Sequence, residues 1–134
     1  MIGLGVDMVQ ISELQKQFQD SASVFSKKTY TNAELNYARN NVSGHPERHL
    51  AARYAAKEAL IKAWSSLRYG KPQVVNNPNY QDVEVINDHF GRPRIRLHGL
   101  LRDYLKEFQI QLSLSHDGDY AIATVLLFSG GTNE

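Results

Sequence analysis

The chain has no cysteine among its 134 residues. A disulfide scaffold, a thiolate zinc site and a thiol nucleophile are therefore excluded, and the absence fits a reducing compartment. Charge of one sign is also lacking: 15 basic residues against 14 acidic ones leave a net charge of +1. No molecule-wide field points to nucleic acid or an anionic membrane as a partner. No apolar run approaches the roughly 18–20 residues that span a bilayer. The longest candidate, Ala121 to Phe128, is strand-sized. The start, Met1-Ile2-Gly3-Leu4-Gly5-Val6-Asp7, lacks the basic opening and long apolar stretch of a secretory signal. A soluble cytoplasmic protein is expected. His-Glu-x-x-His and Walker A patterns are missing, and Gly3-Leu4-Gly5 lacks the third glycine of a dinucleotide fingerprint.

What remains is an ordinary globular composition, 42% hydrophobic and 22% charged, at a length that supports one domain with one core. Ile2, Leu4 and Val6 alternate with Gly3, Gly5 and Asp7, which predicts a strand with a bare glycine face open to close approach. Ser12-Glu13-Leu14-Gln15 and Thr31-Asn32-Ala33-Glu34 read as capping boxes opening two helices, the second ending near Asn40. A third helix is expected from about Glu47 to about Leu67, free of Gly and Pro and rich in alanine. Leu50, Tyr54 and Ile61 form one stripe on it, with Trp64 beside them. Ala51, Ala55 and Ala59 form a second, shallow one.

Residues 65–81 read as a long loop. Two strands around Gly91 make a hairpin, a short helix covers 100–108, and Ile110, Leu112 and Leu114 open a second hairpin that returns through Tyr120 to Phe128. The order predicts an α+β fold, one antiparallel sheet packed on a long helix, in a single domain over residues 1–134, with 129–134 frayed.

Three places could carry chemistry. Asp7 ends a strand, and taken alone reads as a turn cap. Glu58 and Lys62 stand at i, i+4 and would pair as a solvated salt bridge. Arg48, Arg53, Lys57 and Lys62 nevertheless crowd one helix without matching acids. A basic cluster with a carboxylate suits a polyphosphate and a divalent metal, the cations taking phosphate oxygens and the carboxylate a hard Mg²⁺. Ser113, Ser115, His116 and Asp117 are too close in sequence for a nucleophilic triad, but serve as phosphate-binding hydroxyls and an imidazole. Gly91-Arg92-Pro93-Arg94 is a hairpin turn or an anion contact.

These blocks resemble a known family. Residues 2–9 (IGLGVDMV), 48–59 (RHLAARYAAKEA) and 112–116 (LSLSH), with Gly91-Arg92-Pro93-Arg94 between, look like the holo-acyl-carrier-protein synthases, the small 4′-phosphopantetheinyl transferases. The helix block looks most like the actinobacterial versions, which serve a type I fatty-acid synthase. The resemblance implies the 4′-phosphopantetheinyl transferase fold and transfer of the phosphopantetheine arm of coenzyme A to a serine of an apo acyl-carrier protein or carrier domain. Adenosine 3′,5′-bisphosphate is the product released. It implies that Asp7 and Glu58 bind Mg²⁺ and that Lys62 neutralises the transferred phosphate. Arg48, Arg53, Lys57 and His116 would meet the nucleotide end, with Gly91, Arg92, Pro93, Ser113 and Ser115 along the adenine. Glu58, a water and Asp117 are open as acceptors of the serine proton. A cytoplasmic homotrimer is implied, with Asp7 and Glu58 on one subunit facing the Ser113–Asp117 segment of its neighbour.

Two departures stand out. The family's first helix carries arginines for the acidic carrier, where this chain has Lys16, with Lys27 and Lys28 further on. The Gly-Thr-Gly turn after the signature helix is replaced by Trp64-Ser65-Ser66-Leu67-Arg68. A non-enzymatic coenzyme A or nucleotide binder would keep the cations without needing both acids. A phosphoester hydrolase would want more metal ligands, and a pure interaction domain leaves the cations unexplained.

Overall fold

A computed structural model describes residues 1–130, without the side chains of residues 18–23. The elements are β1 (Ile2–Gln10), α1 (Ile11–Thr29), α2 (Asn32–Asn40), α3 (Pro46–Ser66), a 3₁₀ turn (Tyr80–Asp82), β2 (Val83–Asn87), β3 (Pro93–Leu97), α4 (Gly99–Leu105), β4 (Gln109–Asp117) and β5 (Tyr120–Phe128). All strand pairs are antiparallel. The expected single sheet is in two pieces: a three-stranded sheet ordered β1-β5-β4, and the separate β2-β3 hairpin. β3 begins with Pro93, which has no N–H to offer a neighbouring strand. Of the stretch expected to fray, Ser129 donates its amide to Met1, and 131–134 lie outside the described residues.

The alanine stripe of α3, rather than its large side chains, is the core face. Ala55, Ala59 and Ala63 are fully buried with Leu60 against Val125 and Leu127 of β5, and Ala51 is fully buried with Ile11, Leu14 and Ala121. The reason is in β1. A methyl group added to Gly5 would stand 2.0 Å from the Ala59 carbonyl oxygen, and one added to Gly3 would stand 2.4 Å from that of Ala63. Strand backbone lies directly on helix backbone, so only small residues fit at the contact. Leu50, Tyr54 and Ile61 are left half-buried at the flanks.

The start of α1 departs from expectation. Thr31 forms its capping box with Glu34, but Ser12 does not cap α1, which starts two residues earlier than that cap would set it, after Gln10. The cap comes from across the fold. Ser12 donates its amide to Asp119 Oδ1 (3.0 Å) and its hydroxyl to Oδ2 (2.5 Å), while the Ile11 amide reaches the Asp119 carbonyl (2.7 Å). An acidic cap from the β4–β5 turn satisfies orphan amides and complements the helix dipole.

Candidate active site

β1 and α3 cross so that Asp7, near the end of the strand, meets the middle of the helix. Lys62 Nζ donates to Asp7 Oδ1 (2.9 Å) and to the Val6 carbonyl (3.2 Å). The ion pair of Lys62 is thus with Asp7, not with Glu58 one turn back. Glu58 is occupied differently: Tyr80, on the 3₁₀ turn, donates its hydroxyl to Glu58 Oε1 (2.7 Å). Asp7, Glu58, Lys62 and Tyr54 line an open depression of about 440 Å³, with Gln10 and Glu13 at its rim.

The electrostatics follow from two acids sharing a half-buried corner. Burial raises the Asp7 pKa; Lys62 pulls it down, Glu58 pushes it up, and the net shift is upward. Burial and the charge of Glu58 push Tyr54 up to about 12. Burial and the hydrogen bond to Glu58 drive Tyr80 higher still. Both phenols are therefore protonated donors at neutral pH.

No group of three or more His, Cys, Asp or Glu side chains able to hold a metal occurs among the described residues. Two carboxylates are nonetheless a sufficient protein share for Mg²⁺, which keeps waters and takes phosphate oxygens. The Lys62 ammonium already rests on Asp7, and Asp7 is still raised. Asp7 and Glu58 line one depression with the Lys62 ammonium beside them, a donor set whose chemistry fits a divalent cation carrying anionic ligand oxygens.

A second cluster lies on another face of α3. Arg48, Arg53, Gly91, Pro93, Ser115 and His116 line a recess of about 260 Å³ with Tyr37, His49 and Asn87. Gly91 closes the β2–β3 turn at φ +83°, where a side chain would be strained. Asp88 Oδ1 takes the amides of Phe90 (2.9 Å) and Arg92 (2.8 Å) in the same turn. Arg53 is nearly inaccessible. Its Nη2 donates to Asn87 Oδ1 (2.5 Å) and its guanidinium stacks 4.4 Å from the Tyr37 ring centre, but its buried Nε has no acceptor. Burial lowers the His49 pKa, and Arg53 and His116 lower it further. The imidazole is kept neutral in a cationic recess that has donors to spare for an anion.

Several residues expected at the site stand elsewhere. Lys57 is fully buried, and its three donors go to Glu34 Oε1 (2.8 Å), the Tyr80 carbonyl (2.9 Å) and the Val83 carbonyl. With no proton free and no exposed surface it cannot serve as a ligand contact, and its assignment to the cofactor is corrected to a structural one. Arg92 pairs with Asp88 (3.8 Å) over the Phe90 ring, outside the recess lining. Ser113 faces outward opposite Thr124. Asp117, at the end of β4, lines neither depression. Tyr54 stands one turn before Glu58, a spacing that could have revealed it. His49 follows Arg48 inside the block at residues 48–59, a signal that could have revealed it, whereas nothing in the sequence connects Tyr80 to these clusters.

The family model of the 4′-phosphopantetheinyl transferase superfamily matches residues 3–125. The chain belongs to that superfamily. A holo-[acyl-carrier-protein] synthase of Nocardia farcinica is 42% identical over 98% of this chain and 90% of its own length. That of Mycobacterium tuberculosis is 42% identical over 95% and 96%. Among solved structures, the ACPS–CoA complex of Chronobacterium ammoniagenes superposes with a TM-score of 0.87 at 36% identity, over 98% of this chain and 99% of that one. The acyl carrier protein synthase of Mycobacterium tuberculosis gives 0.75 at 39%, over 95% and 96%. Similarity to actinobacterial transferases therefore runs the length of the domain, through β1, α3 and β4 alike.

Proposed function

We propose that the protein is a holo-acyl-carrier-protein synthase, transferring the 4′-phosphopantetheine arm of coenzyme A to a serine of an apo carrier. The observation that carries the reading is the meeting of Asp7 with Glu58 and Lys62, which lie on a helix some fifty residues further along the chain, in one corner of a phosphopantetheinyl transferase domain. A plain coenzyme A binder has no use for two acids held together beside a lysine.

In this reading the serine oxygen bonds to the phosphorus bearing the pantetheine arm. The bond from that phosphorus to the bridging oxygen breaks, adenosine 3′,5′-bisphosphate leaves with the electron pair, and the serine proton goes to Glu58 or to a water at the acidic corner. Such transfers need positioning and charge neutralisation more than covalent help. Asp7 and Glu58 would hold Mg²⁺, which when bound offsets the charge of the pyrophosphate. Lys62 sits where it can follow charge on the transferred phosphoryl group. Arg48, Arg53 and His116, with Ser115, Gly91 and Pro93, would take the nucleotide end in the recess.

The two clusters open as separate depressions on one chain, which supports a site completed by a neighbour. β1 turns Ile2, Leu4, Val6 and Met8 outward, 72%, 60%, 51% and 64% exposed, beside exposed Tyr120 and Ile122 of β5. An apolar sheet face of that kind is what an assembly covers. We take the assembly to be the homotrimer, a cytoplasmic enzyme whose carrier is a domain of a type I fatty-acid synthase. No helix among the described residues is long and apolar enough to cross a membrane.

The test is direct. The protein is incubated with Mg²⁺, coenzyme A and apo carrier domains, and each carrier is weighed by mass spectrometry. A phosphopantetheine adduct on serine supports the reading. Coenzyme A cleavage without a carrier, or binding without transfer to any carrier tried, overturns it.

A further inference from the structure

Buried ion pairs are costly to assemble, and the one in this core joins the site from below. Lys57 and Glu34 are both sealed from solvent, 2.8 Å apart. Glu34 also accepts from the Thr31 amide (3.0 Å) and the Val85 amide (2.9 Å). The pair therefore ties α2, α3 and β2 together. Its third connection is the one with a consequence for Glu58. Lys57 Nζ holds the carbonyl of Tyr80 at 2.9 Å, and the Tyr80 hydroxyl holds Glu58 Oε1 at 2.7 Å.

Lys57 and Glu58 are neighbours on α3 and point to different sides of the helix. The 3₁₀ turn bridges those two sides, gripped at its backbone by one residue and gripping the other with its phenol. Gln81 fixes the far side of the same turn, donating to the carbonyls of Tyr30 (2.9 Å) and Lys27. The Tyr80 ring also rests against Tyr54, centroids 5.9 Å apart. A turn at the end of a long loop is thus tied down through Lys57, Gln81 and Tyr54, and the group it presents at the site is one hydroxyl aimed at one carboxylate oxygen.

We propose that Tyr80 is a positioning residue for Glu58: anchored from the core by Lys57, it fixes the carboxylate so that the divalent ion meets a preorganised ligand. The proposal rests on the reading of Asp7 and Glu58 as the metal-binding pair. Hydrogen bonds to metal-ligating carboxylates orient them, and their loss characteristically costs metal affinity. The phenol acts through Glu58, to which its hydroxyl donates. Its effect is on how much metal is needed, not on how coenzyme A is gripped.

The test uses Tyr80→Phe in the intact protein, which keeps the ring, the backbone anchors and the contact with Tyr54. Mn²⁺ binding in the presence of coenzyme A is read by electron paramagnetic resonance, alongside steady-state rates over a range of Mg²⁺. The variant is expected to bind Mn²⁺ roughly tenfold more weakly. Its rate should recover at high Mg²⁺, with an unchanged KM for coenzyme A and a melting temperature close to that of the parent. Mn²⁺ affinity equal to the parent's overturns the proposal, including when the variant melts earlier, because the hydroxyl would then be only structural. A parent protein that binds no Mn²⁺ with coenzyme A present overturns the metal reading itself, and this proposal with it.

Discussion

Lys62 reaches across 55 residues of sequence to donate to Asp7 Oδ1 at 2.9 Å. The contact exists because β1 lies on α3 with almost no space between them. Gly5, two residues before Asp7, is what allows it. The first prediction is that Gly5→Ala is destabilising, although alanine at a compatible backbone normally stabilises by restricting the unfolded chain. Here the new methyl would meet helix backbone, which cannot move aside as a side chain can. A loss of about 2–3 kcal/mol, typical of overpacking or a little above it, is expected from urea unfolding. Activity should fall as well, because the strand that carries Asp7 must shift.

Asp7 and Glu58 separate function from stability. The net upward shift of the Asp7 pKa means that folding disfavours its charged form relative to the unfolded chain. A group of that kind contributes less to stability as pH rises through its folded value. Asp7→Asn is therefore expected to melt at or slightly above the parent at pH 7. Its pair with Lys62, which is about half exposed, is worth little. Turnover should nevertheless fall by roughly 100-fold or more, the scale of losing a few kcal/mol of charge stabilisation. Glu58→Gln should lose activity similarly. Near-normal rates for both variants at saturating Mg²⁺ would reject the metal assignment.

Much of this arrangement was legible in the sequence, for reasons that differ between elements. The period-two pattern of β1, the Thr31 capping box and the uninterrupted α3 are local signals; α2 and α3 formed within a residue of their expected places, while β1 ran three residues past Asp7, its expected end, to Gln10. The glycine face of β1 correctly announced a close approach. That the approaching partner was the alanine stripe of α3 is a tertiary fact, visible only once both elements are placed. Ser12 had every local mark of a cap, yet Asp119 took the role from 107 residues away. Lys57 was indistinguishable from Arg53 or Lys62 as a surface cation. Its burial follows from the position of Glu34, which lies 23 residues off with no periodic relation to it. Tyr80 escaped notice because a residue in a long loop has no predictable direction.

Glu84 provides a pH prediction. Burial pushes its pKa up, but the Thr31 hydroxyl (2.6 Å), the His98 ring (2.9 Å) and nearby Arg96 together bring it below the ordinary 4.5. A depressed carboxylate contributes stability that is fully present above its unfolded value and is lost as pH falls through the folded one. The parent should therefore lose stability on acidification below about pH 4.5. Glu84→Gln should start less stable at pH 7 and show a shallower fall between pH 5 and pH 3. Urea midpoints across that range are the measurement, and parallel curves would show that Glu84 is not the group responsible.

The exposed row on β1 supplies the last prediction. Leu4 is 60% exposed and sits in the sheet opposite Leu126, so it has little to do with the core of its own chain. Replacing it with arginine should leave the fold and its circular dichroism intact while putting a charge into any interface the row forms. Sedimentation should then give a monomer where the parent gives a trimer. A surface charge has no local reason to reach Asp7, Glu58 or the Arg53 recess within one subunit. If transfer activity disappears with the trimer, each site is built from two chains, one giving the acidic corner and its neighbour the cationic recess. A Leu4→Arg monomer that transfers phosphopantetheine at the parental rate would place both halves of the reaction on a single chain. The apolar face would then have some purpose other than completing the site.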